Sequence, residues 1–246
     1  MNRKDQVAAA FSAAADTYEA AARAQAASAD RLAAIAATLP RPPHPRVLEF
    51  GCGTGLLTRR LHPLIDGDWL VTDLSPAMVA AAARAVPGPL FQMMDAEYPV
   101  DDGAGVDLIV SNLAAQWFAD LGAAADRLRR LLRPGGRLLF STLGTESFRQ
   151  WQAAHQALGL SCGVPVFPAA ADLAGRLPPA CIEEQRFTLN YADGRAFAAE
   201  LKRIGAGTPI PGHRPLSVGD MRRVLGRLGS PAPMTYHVLH VLIAAE

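Results

Sequence analysis

The sequence has few cysteines, little net charge and no long apolar run, and each shortage excludes a class of protein. Its three cysteines show no CxxC or Cys/His spacing, which excludes a disulfide framework and a zinc site and suits a reducing compartment. A formal net charge of +1 gives no global field that would attract nucleic acid or an anionic membrane. No uncharged apolar run approaches the roughly 20 residues that cross a bilayer. We therefore expect a cytoplasmic protein that binds neither nucleic acid nor membrane.

The remaining composition is that of a folded domain. Hydrophobic residues make up 50% of the chain and charged residues 19%, which excludes a disordered protein. Aromatic residues are only 7%, and much of the apolar fraction is alanine, a strong helix former. The 246 residues suit one α/β domain and are too few for two.

Helix-like and strand-like segments alternate along the first part of the chain. A helical segment over residues 5–39 ends at a proline-rich stretch, because proline cannot continue the helical hydrogen-bond ladder. We then predict strands at residues 46–50, 69–73, 90–92, 106–111 and 137–142, separated by helices at 56–64, 75–86 and 121–132. Such alternation is typical of right-handed βαβ units. The prediction is an α/β fold with a mostly parallel sheet and helices on both faces.

Beyond residue 142 the alternation loosens. We predict helices at residues 147–158, 169–176, 195–204 and 218–228, and strands at 185–191 and 236–244. No internal repeat or convincing linker separates this part from the first. These segments are expected to complete the sheet and to add a helical cap over it, within a single domain.

A glycine-rich loop follows the first predicted strand. Gly51, Gly53 and Gly55 allow a sharp turn and a close approach of a ligand to the main chain. The loop opens a helix, and Asp73 ends the next strand about 20 residues further on, where an acid that binds a ribose belongs. Together these features predict a nucleoside site.

The spacing of the loop distinguishes between nucleoside cofactors. A dinucleotide fingerprint is G-x-G-x-x-G and cradles a pyrophosphate, whereas this loop is G-x-G-x-G and follows Glu49. An anion there repels a diphosphate and suits a cationic ligand. Asp73 can accept both ribose hydroxyls, and Asp95 with Ala96 can contact an adenine edge. We therefore favour S-adenosyl-L-methionine over NAD, although Glu49 could be a solvated strand-end acid and Asp95 a helix cap.

Several segments resemble motifs of the class I S-adenosylmethionine-dependent methyltransferases, whose fold is Rossmann-like. Val47–Gly55 is similar to their first motif, and Leu132–Gly136 to the turn that follows their later motifs. Val71–Met78 resembles their second motif, and the resemblance implies that Leu74 and Met78 contact the methyl donor.

A closer resemblance covers nearly the whole chain. Residues 7–25, Ser111–Trp117, Leu201–Ala206 and Met234–Leu239 are similar to segments of the malonyl-[acyl-carrier protein] O-methyltransferases, which act in biotin synthesis. The resemblance implies a single domain with N-terminal lid helices (1–39), a cofactor-binding core (46–142), and a cap insertion with final strands (143–246). The chain departs from the family pattern at Arg203 and around residues 207–215.

The resemblance also implies roles for individual residues. Tyr18 would face the methyl-transfer site from the lid, although ordinary half-buried packing explains it as well. The donor-binding set would be completed by Gln25, Asn112 and Gln116.

A carboxylate acceptor would need a cation to orient it. Malonate is already ionised at pH 7, so it can attack a sulfonium methyl group without a general base. Residues 195–246 hold seven basic residues against three acidic ones. Lys202 and Arg214 occupy family-matched positions and are predicted to hold the substrate carboxylate, while a helix with Arg222, Arg223 and Arg227 would dock an acidic carrier unless it is simply a solvated face.

We therefore expect an enzyme that methylates the free carboxylate of malonyl-acyl-carrier protein, or of malonyl-coenzyme A, with S-adenosyl-L-methionine and without a metal. One alternative is methylation of a small free acid similar to aconitate. Another is a non-catalytic donor-binding protein that serves as an assembly partner. The sequence leaves the oligomeric state open.

Overall fold

A seven-stranded sheet organises the chain in the computed structural model, which describes residues 3–245. The strands are β1 (Arg46–Phe50), β2 (Asp68–Asp73), β3 (Leu90–Met93), β4 (Val106–Ser111), β5 (Leu132–Leu143), β6 (Ala180–Tyr191) and β7 (Ala232–Ala244). Their order across the sheet is β3-β2-β1-β4-β5-β7-β6. Strands β1 to β5 are parallel, while β7 runs antiparallel to both β5 and β6. The predicted mostly parallel α/β sheet is confirmed.

The helices connect and cover these strands. They are α1 (Arg3–Ala14), α2 (Arg23–Thr38), α3 (Thr58–Leu61), α4 (Pro76–Ala85), α5 (Leu121–Arg130), α6 (Arg149–Gln156), α7 (Ala170–Ala174), α8 (Gly194–Arg203) and α9 (Val218–Arg227). Short 3-10 helices lie at Glu19–Ala21 and Ala115–Trp117. All the helices predicted after residue 39 are present, and most of them end slightly earlier than predicted.

The helical segment predicted over residues 5–39 is present as two helices, because the chain breaks between α1 and α2. Neither glycine nor proline marks the break. Thr17 Oγ1 lies 3.2 Å from the carbonyl oxygen of Ala14 and 2.8 Å from that of Arg203, so the two carbonyls share its one proton. Such side-chain bonds to the backbone compete with a continuing helix, and the second one joins the break to a distant part of the chain.

Side-chain caps explain why several helices begin where they do. In each case a Ser or Asp oxygen accepts a bond from a backbone N–H in the first helical turn, which would otherwise lack a partner. The capping residues are Ser75 for α4, Asp120 for α5, Asp193 for α8 and Ser217 for α9. All four capping side chains are recognisable in the sequence.

The apolar core is divided by the sheet. Val47, Val71 and Val110 face α2 and α3 on one side, while Leu48 and Phe50, together with other residues of the strands, face α5 and α7 on the other. Because side chains alternate along a strand, these buried strands supply both layers.

Two further apolar clusters lie outside the central layers. One, under the cap, joins α6, α8 and α9 to β7 around Phe148, Trp151 and Phe197. A smaller one joins the break after α1 to α4 and to the end of α8, through Tyr18, Met78 and Ile204. The cap is therefore fastened both to the sheet and to the N-terminal segment.

None of the helices in residues 3–245 has the length and apolar character needed to cross a membrane.

Replacing Phe197 with Ala should destabilise the cap more than any surface change. Its ring is fully buried and lies 5.2–5.6 Å, between centroids, from those of Tyr191, Trp151 and Phe148. We expect Phe197→Ala to lower the free energy of unfolding by about 3–5 kcal/mol, as measured by urea denaturation. Val166→Ala, at a residue that is 98% exposed, should change it by less than about 0.5 kcal/mol. Equal effects would contradict this description of the core.

Candidate active site

The glycine loop lies at the carboxyl end of β1, at the centre of the parallel sheet. Gly51 has a φ of 61° and Gly53 a φ of 55°, a region that favours glycine. A Cβ on Gly51 would overlap that of Ala114, and one on Gly53 would meet the Tyr18 ring at 3.8 Å. Backbone conformation therefore favours glycine at both positions, and lack of space requires it at Gly51 as well, whereas the contact at Gly53 is an ordinary one.

Asp73, at the carboxyl end of β2, holds the loop in place. Its Oδ2 accepts a bond from the Gly53 N–H at 2.9 Å, and its Oδ1 accepts one from the Ser75 N–H at 2.8 Å. Burial nevertheless raises the pKa of the Asp73 carboxyl, although bonds from backbone N–H groups oppose the shift. A carboxylate has about four acceptor positions, so both oxygens keep capacity for two further hydroxyl donors.

Glu49 lies deeper than the sequence suggests. Its side chain is 1% exposed, and its Oε2 has no hydrogen-bond partner among the described residues. Burial, with a smaller contribution from the charge of Asp73, raises the pKa of Glu49 to about 8, and hydrogen bonding to Thr58 opposes the shift. The alternative that Glu49 is a solvated strand-end acid is therefore wrong, and without a ligand the buried carboxyl is mostly neutral at pH 7. We use the name loop cleft for the group formed by Glu49, Gly51, Gly53 and Asp73 at the carboxyl ends of β1 and β2.

The N-terminal segment covers the loop cleft. We call this segment, residues 3–21, the lid. Lys4 Nζ lies 2.8 Å from Asp95 Oδ2 and 2.5 Å from Glu97 Oε2, and Ser12 Oγ lies 2.7 Å from Ser75 Oγ. The lid is thus held at two places, in the segment that follows the edge strand β3 and at the start of α4.

Tyr18 closes the other end of the lid over Gly53. Its side chain is 9% exposed, and burial, followed by the charges of Asp73 and Cys52, raises the pKa of its hydroxyl. The hydroxyl stays protonated at neutral pH and is no base.

The other residues predicted to bind the donor differ in whether their side chains are paired or buried. Asp95 and Ala96 lie in the loop after β3, but Asp95 is paired with Lys4. Leu74 lies in the turn between β2 and α4, whereas the Met78 side chain is fully buried against the lid. The structure therefore places Met78 as packing beneath Tyr18.

Asn112 is committed to an internal network. Its Oδ1 accepts bonds from Ser28 Oγ at 2.7 Å and Ser141 Oγ at 3.0 Å, and its Nδ2 donates to the Gln25 carbonyl at 2.9 Å. This network ties α2 to β4 and β5. Gln116, by contrast, has a buried Oε1 with no hydrogen-bond partner in the described chain.

A space lies between the lid, the sheet and the cap helices, and we call it the cap cavity. It measures about 1650 Å³. Tyr18, Gln25 and Gln116 belong to its lining, and Tyr18 also lies against Gly53 of the loop cleft. Much of its wall is aromatic or apolar, including Phe11, Trp117, Phe148, Trp151, Phe167 and Tyr236.

Cations line the cap cavity without any acid beside them. Four of the described lining residues are Arg or Lys and none is Asp or Glu, the four being Arg195, Lys202, Arg203 and Arg222. Lys202, which the sequence predicts to hold the substrate carboxylate, is one of them.

Arg214 is exposed and lies outside the lining, although His213 and Pro215 on either side belong to it. The placement of Arg214 outside this lining gives no support to the prediction that it holds the carboxylate.

The sequence prediction missed Arg195 and Arg203 and assigned Arg222 only to carrier docking. A signal was present for one of them, because Arg195 and Lys202 are seven residues apart and so share a face of α8.

The acid nearest to these cations along α8 is already paired. Glu200 accepts bonds from Tyr191 at 2.6 Å and from Arg23 at 3.0 Å. The Tyr191 hydroxyl has one proton, which it donates to Glu200. It therefore accepts a hydrogen bond from the Tyr236 hydroxyl, whose oxygen lies 2.8 Å away. Burial raises the pKa of Tyr236 to about 12. Glu200 is therefore unavailable to neutralise Lys202 or Arg203.

Comparison with known proteins agrees with this geometry. A family described as "Methyltransferase domain" matches residues 48–140. A solved putative methyltransferase from Bacillus halodurans superposes with a TM-score of 0.63 at 14% identity, covering 89% of this chain and 98% of that one. The parallel sheet and the loop cleft at its centre define a class I methyltransferase, and its methyl donor is S-adenosylmethionine.

Curated relatives identify the family more closely. The malonyl-[acyl-carrier protein] O-methyltransferase of Magnetococcus marinus is 38% identical over 86% of this chain and 82% of its own length. The biotin biosynthesis bifunctional protein BioCD of Bordetella avium is 44% identical over 87% of this chain, which spans only 47% of that longer protein. The chain belongs to the malonyl-[acyl-carrier protein] O-methyltransferase family.

The loop cleft fits the methyl donor. Asp73 retains acceptor capacity for the two ribose hydroxyls, and the glycine loop lets a ligand approach the main chain. The unpartnered oxygen of Glu49 is a buried acceptor beside the loop. A cationic ligand there would favour the ionised form of Glu49.

Donor binding should therefore tighten as pH rises. A bound cation lowers the pKa of Glu49 from about 8, so binding releases a proton. The Kd for the donor should therefore fall as the pH is raised from 6.5 to 8.5. The slope should approach, at most, about tenfold per pH unit. Glu49→Gln should flatten this dependence, as measured by calorimetry across that pH range. Parallel slopes in both proteins would show that another group titrates.

Lys4 should control how readily the lid opens. Lys4→Met removes two ion pairs and keeps an apolar stem, so donor association and dissociation should each become about two- to fivefold faster. Stopped-flow fluorescence measures both rates. Arg31→Met, which removes an exposed pair with Glu183 far from the lid, is the matched control. Unchanged rates in Lys4→Met would mean that these pairs do not limit opening.

Proposed function

We propose that the protein transfers the methyl group of S-adenosylmethionine to the free carboxylate of a malonyl group carried on acyl-carrier protein. The observation that carries this proposal is the cap cavity, whose described lining has four basic residues and no acid and adjoins the loop cleft. The relatives named malonyl-[acyl-carrier protein] O-methyltransferase support the same acceptor.

The reaction requires positioning more than acid–base chemistry. When bound, S-adenosylmethionine supplies an electrophilic methyl group on a sulfonium sulfur. An ionised carboxylate oxygen can form the new O–C bond with its own electron pair while the C–S bond breaks, so no proton has to be removed. The products are a methyl ester and S-adenosylhomocysteine. Rate then comes from alignment and from exclusion of water.

Lys202 is proposed to orient the carboxylate. It lies on the last turn of α8, and the next residue, Arg203, is joined to the lid by the bond from Thr17 to its carbonyl. Lys202 has no acid partner in residues 3–245, so its charge is free for an anionic ligand.

The lid would dry the reaction centre. Phe11 packs edge-on against Trp117, with 5.5 Å between the ring centroids, and Tyr18 covers Gly53. We propose Tyr18 as the residue that borders the methyl-transfer site, because it is the lid side chain that contacts the glycine loop and also lines the cap cavity.

The donor would be held by residues on both sides of the loop. We assign the ribose to Asp73, the cationic end to Glu49, and close backbone approach to Gly51 and Gly53. Asp95, Ala96 and Leu74 would border the adenine once Lys4 has moved from Asp95. Gln25 and Gln116, which lie between the loop cleft and the cap cavity, would complete the site, while Asn112 would support it through its internal network.

The methyl ester hides a charge that would be costly to bury in apolar chain-elongation sites. We propose that the product serves in biotin synthesis, to make pimelate, in agreement with the bifunctional relative. The three cysteines are unpaired, as is typical of a reducing compartment, and we propose the cytoplasm. Malonyl-coenzyme A is a second possible carrier of the same acyl group.

The direct test is transfer of labelled methyl from S-adenosylmethionine to malonyl-acyl-carrier protein. Free malonate and acetyl-acyl-carrier protein are the controls. Lys202→Gln should lower kcat/KM for the acceptor by about 10- to 100-fold, the effect of losing a hydrogen bond between two charged groups, without changing donor affinity. Arg214→Gln should have little effect.

Two other outcomes would assign a different function to the protein. Equal methylation of free malonate would assign the enzyme to small acids rather than carrier-bound ones. Donor binding without turnover on any carboxylate would leave a non-catalytic donor-binding protein.

A further inference from the structure

The cap cavity has more positive charge than one carboxylate needs. A malonyl thioester presents a single carboxylate, yet four unpaired cations line the cavity. In the part of the chain that the structure describes, Arg195 and Arg222 have no acidic partner, whereas Arg223, beside Arg222, is paired with Asp220 at 3.2 Å. Arg195 and Arg222 are both exposed, so their guanidinium groups are accessible to a second anionic group on the ligand.

The cations lie at two separate ends of α8. Its last turn is joined to the lid, since Ile204 packs with Tyr18 and Met78. Arg195 lies in the first turn, nine residues before Ile204, which is roughly 13 Å along the axis at the rise of an α-helix. Lys202 is therefore near the loop cleft and Arg195 is far from it.

Arg222 belongs to the far end. The start of α8 packs closely on α9, because a Cβ on Gly194 would come within 2.6 Å of the Leu228 side chain and 3.1 Å of that of Leu225. Arg222 lies three residues before Leu225, one turn earlier on α9, and both line the cavity. Arg195 and Arg222 thus come from adjoining helices at the same end.

We propose that Arg195 and Arg222 bind the phosphate at the far end of the pantetheine arm that carries the malonyl group. This inference rests on the proposed function and adds a second anion subsite to it. The arm is long, flexible and uncharged between its thioester and its phosphate, and the largely apolar cavity has cations near both ends of α8. Guanidinium groups suit the phosphate, because they form paired hydrogen bonds with its oxygens. Acyl-carrier protein and coenzyme A share this phosphate.

The test compares acceptors that differ only in the arm. Malonyl-pantetheine lacks the phosphate, malonyl-4′-phosphopantetheine has it, and malonyl-coenzyme A and malonyl-acyl-carrier protein extend it. The readout is the ratio of kcat/KM with phosphopantetheine to that with pantetheine. In the unaltered enzyme we expect a ratio of about ten or more, the effect of one or two charge-assisted hydrogen bonds.

The variants assign that ratio to residues. Arg195→Gln and Arg222→Gln should each bring it down severalfold, and the double variant should bring it close to one. Lys202→Gln should lower both rates and keep the ratio, because it acts on the carboxylate. Arg227→Gln, an exposed residue of the same helix that lies outside the cavity lining, is the matched control and should also keep it.

Inhibition gives a second readout, because the two competing compounds carry no malonyl group and are not themselves methylated. Phosphopantetheine should inhibit the unaltered enzyme more strongly than pantetheine does, and this difference should vanish in the double variant.

Failure of the inference differs from failure of the proposed function. Methylation of malonyl-pantetheine and malonyl-phosphopantetheine at equal kcat/KM would overturn the phosphate subsite while keeping the function. Arginine effects seen only with the complete carrier would overturn it too, and would assign these residues to the acidic protein surface. Absence of methylation with every malonyl thioester would overturn both.

Discussion

The carboxylate of Asp73 is the interaction on which the rest of the site depends. It joins the glycine loop after β1 to the start of α4 through two backbone N–H groups. Gly53 is thereby held where the Tyr18 ring can lie against it, and Ser75 is held where the lid serine, Ser12, reaches it. Because the lid also contacts the end of α8, this carboxylate indirectly sets the position of the cap cavity relative to the loop cleft.

Acidic side chains and unpaired basic side chains lie on opposite sides of the lid. Glu49, Asp73 and Asp95 lie on the side of the loop cleft, and the unpaired cations Lys202 and Arg203 lie on the side of the cap cavity. This arrangement suits the transfer of a methyl group from a cationic donor to an anionic acceptor, since each ligand meets the opposite charge on its own side. The neutral, buried state of Glu49 in the absence of a ligand limits the cost of holding two acids close together.

Much of the fold could be predicted because it depends on local signals. The strand at residues 46–50, the capping side chains of α4 and α9, and the alternation of strands and helices are all visible in the sequence. The break after α1 was not, since the side chain that stabilises it, Thr17, bonds to Arg203, 186 residues away in the sequence. No local pattern announces a contact of that kind.

The sequence by itself determined the class of fold, the glycine loop with Asp73, and the family to which the chain belongs. These depend on residues that are close in the chain or on motif spacing. Only the tertiary structure decided that Lys202 lines the cavity while Arg214 does not, that Asn112 is used internally, and that Glu49 is buried. Those properties depend on which distant segments pack together. Burial, rather than residue type, sets the pKa of a carboxyl group, and the packing of neighbouring segments sets where a side chain points.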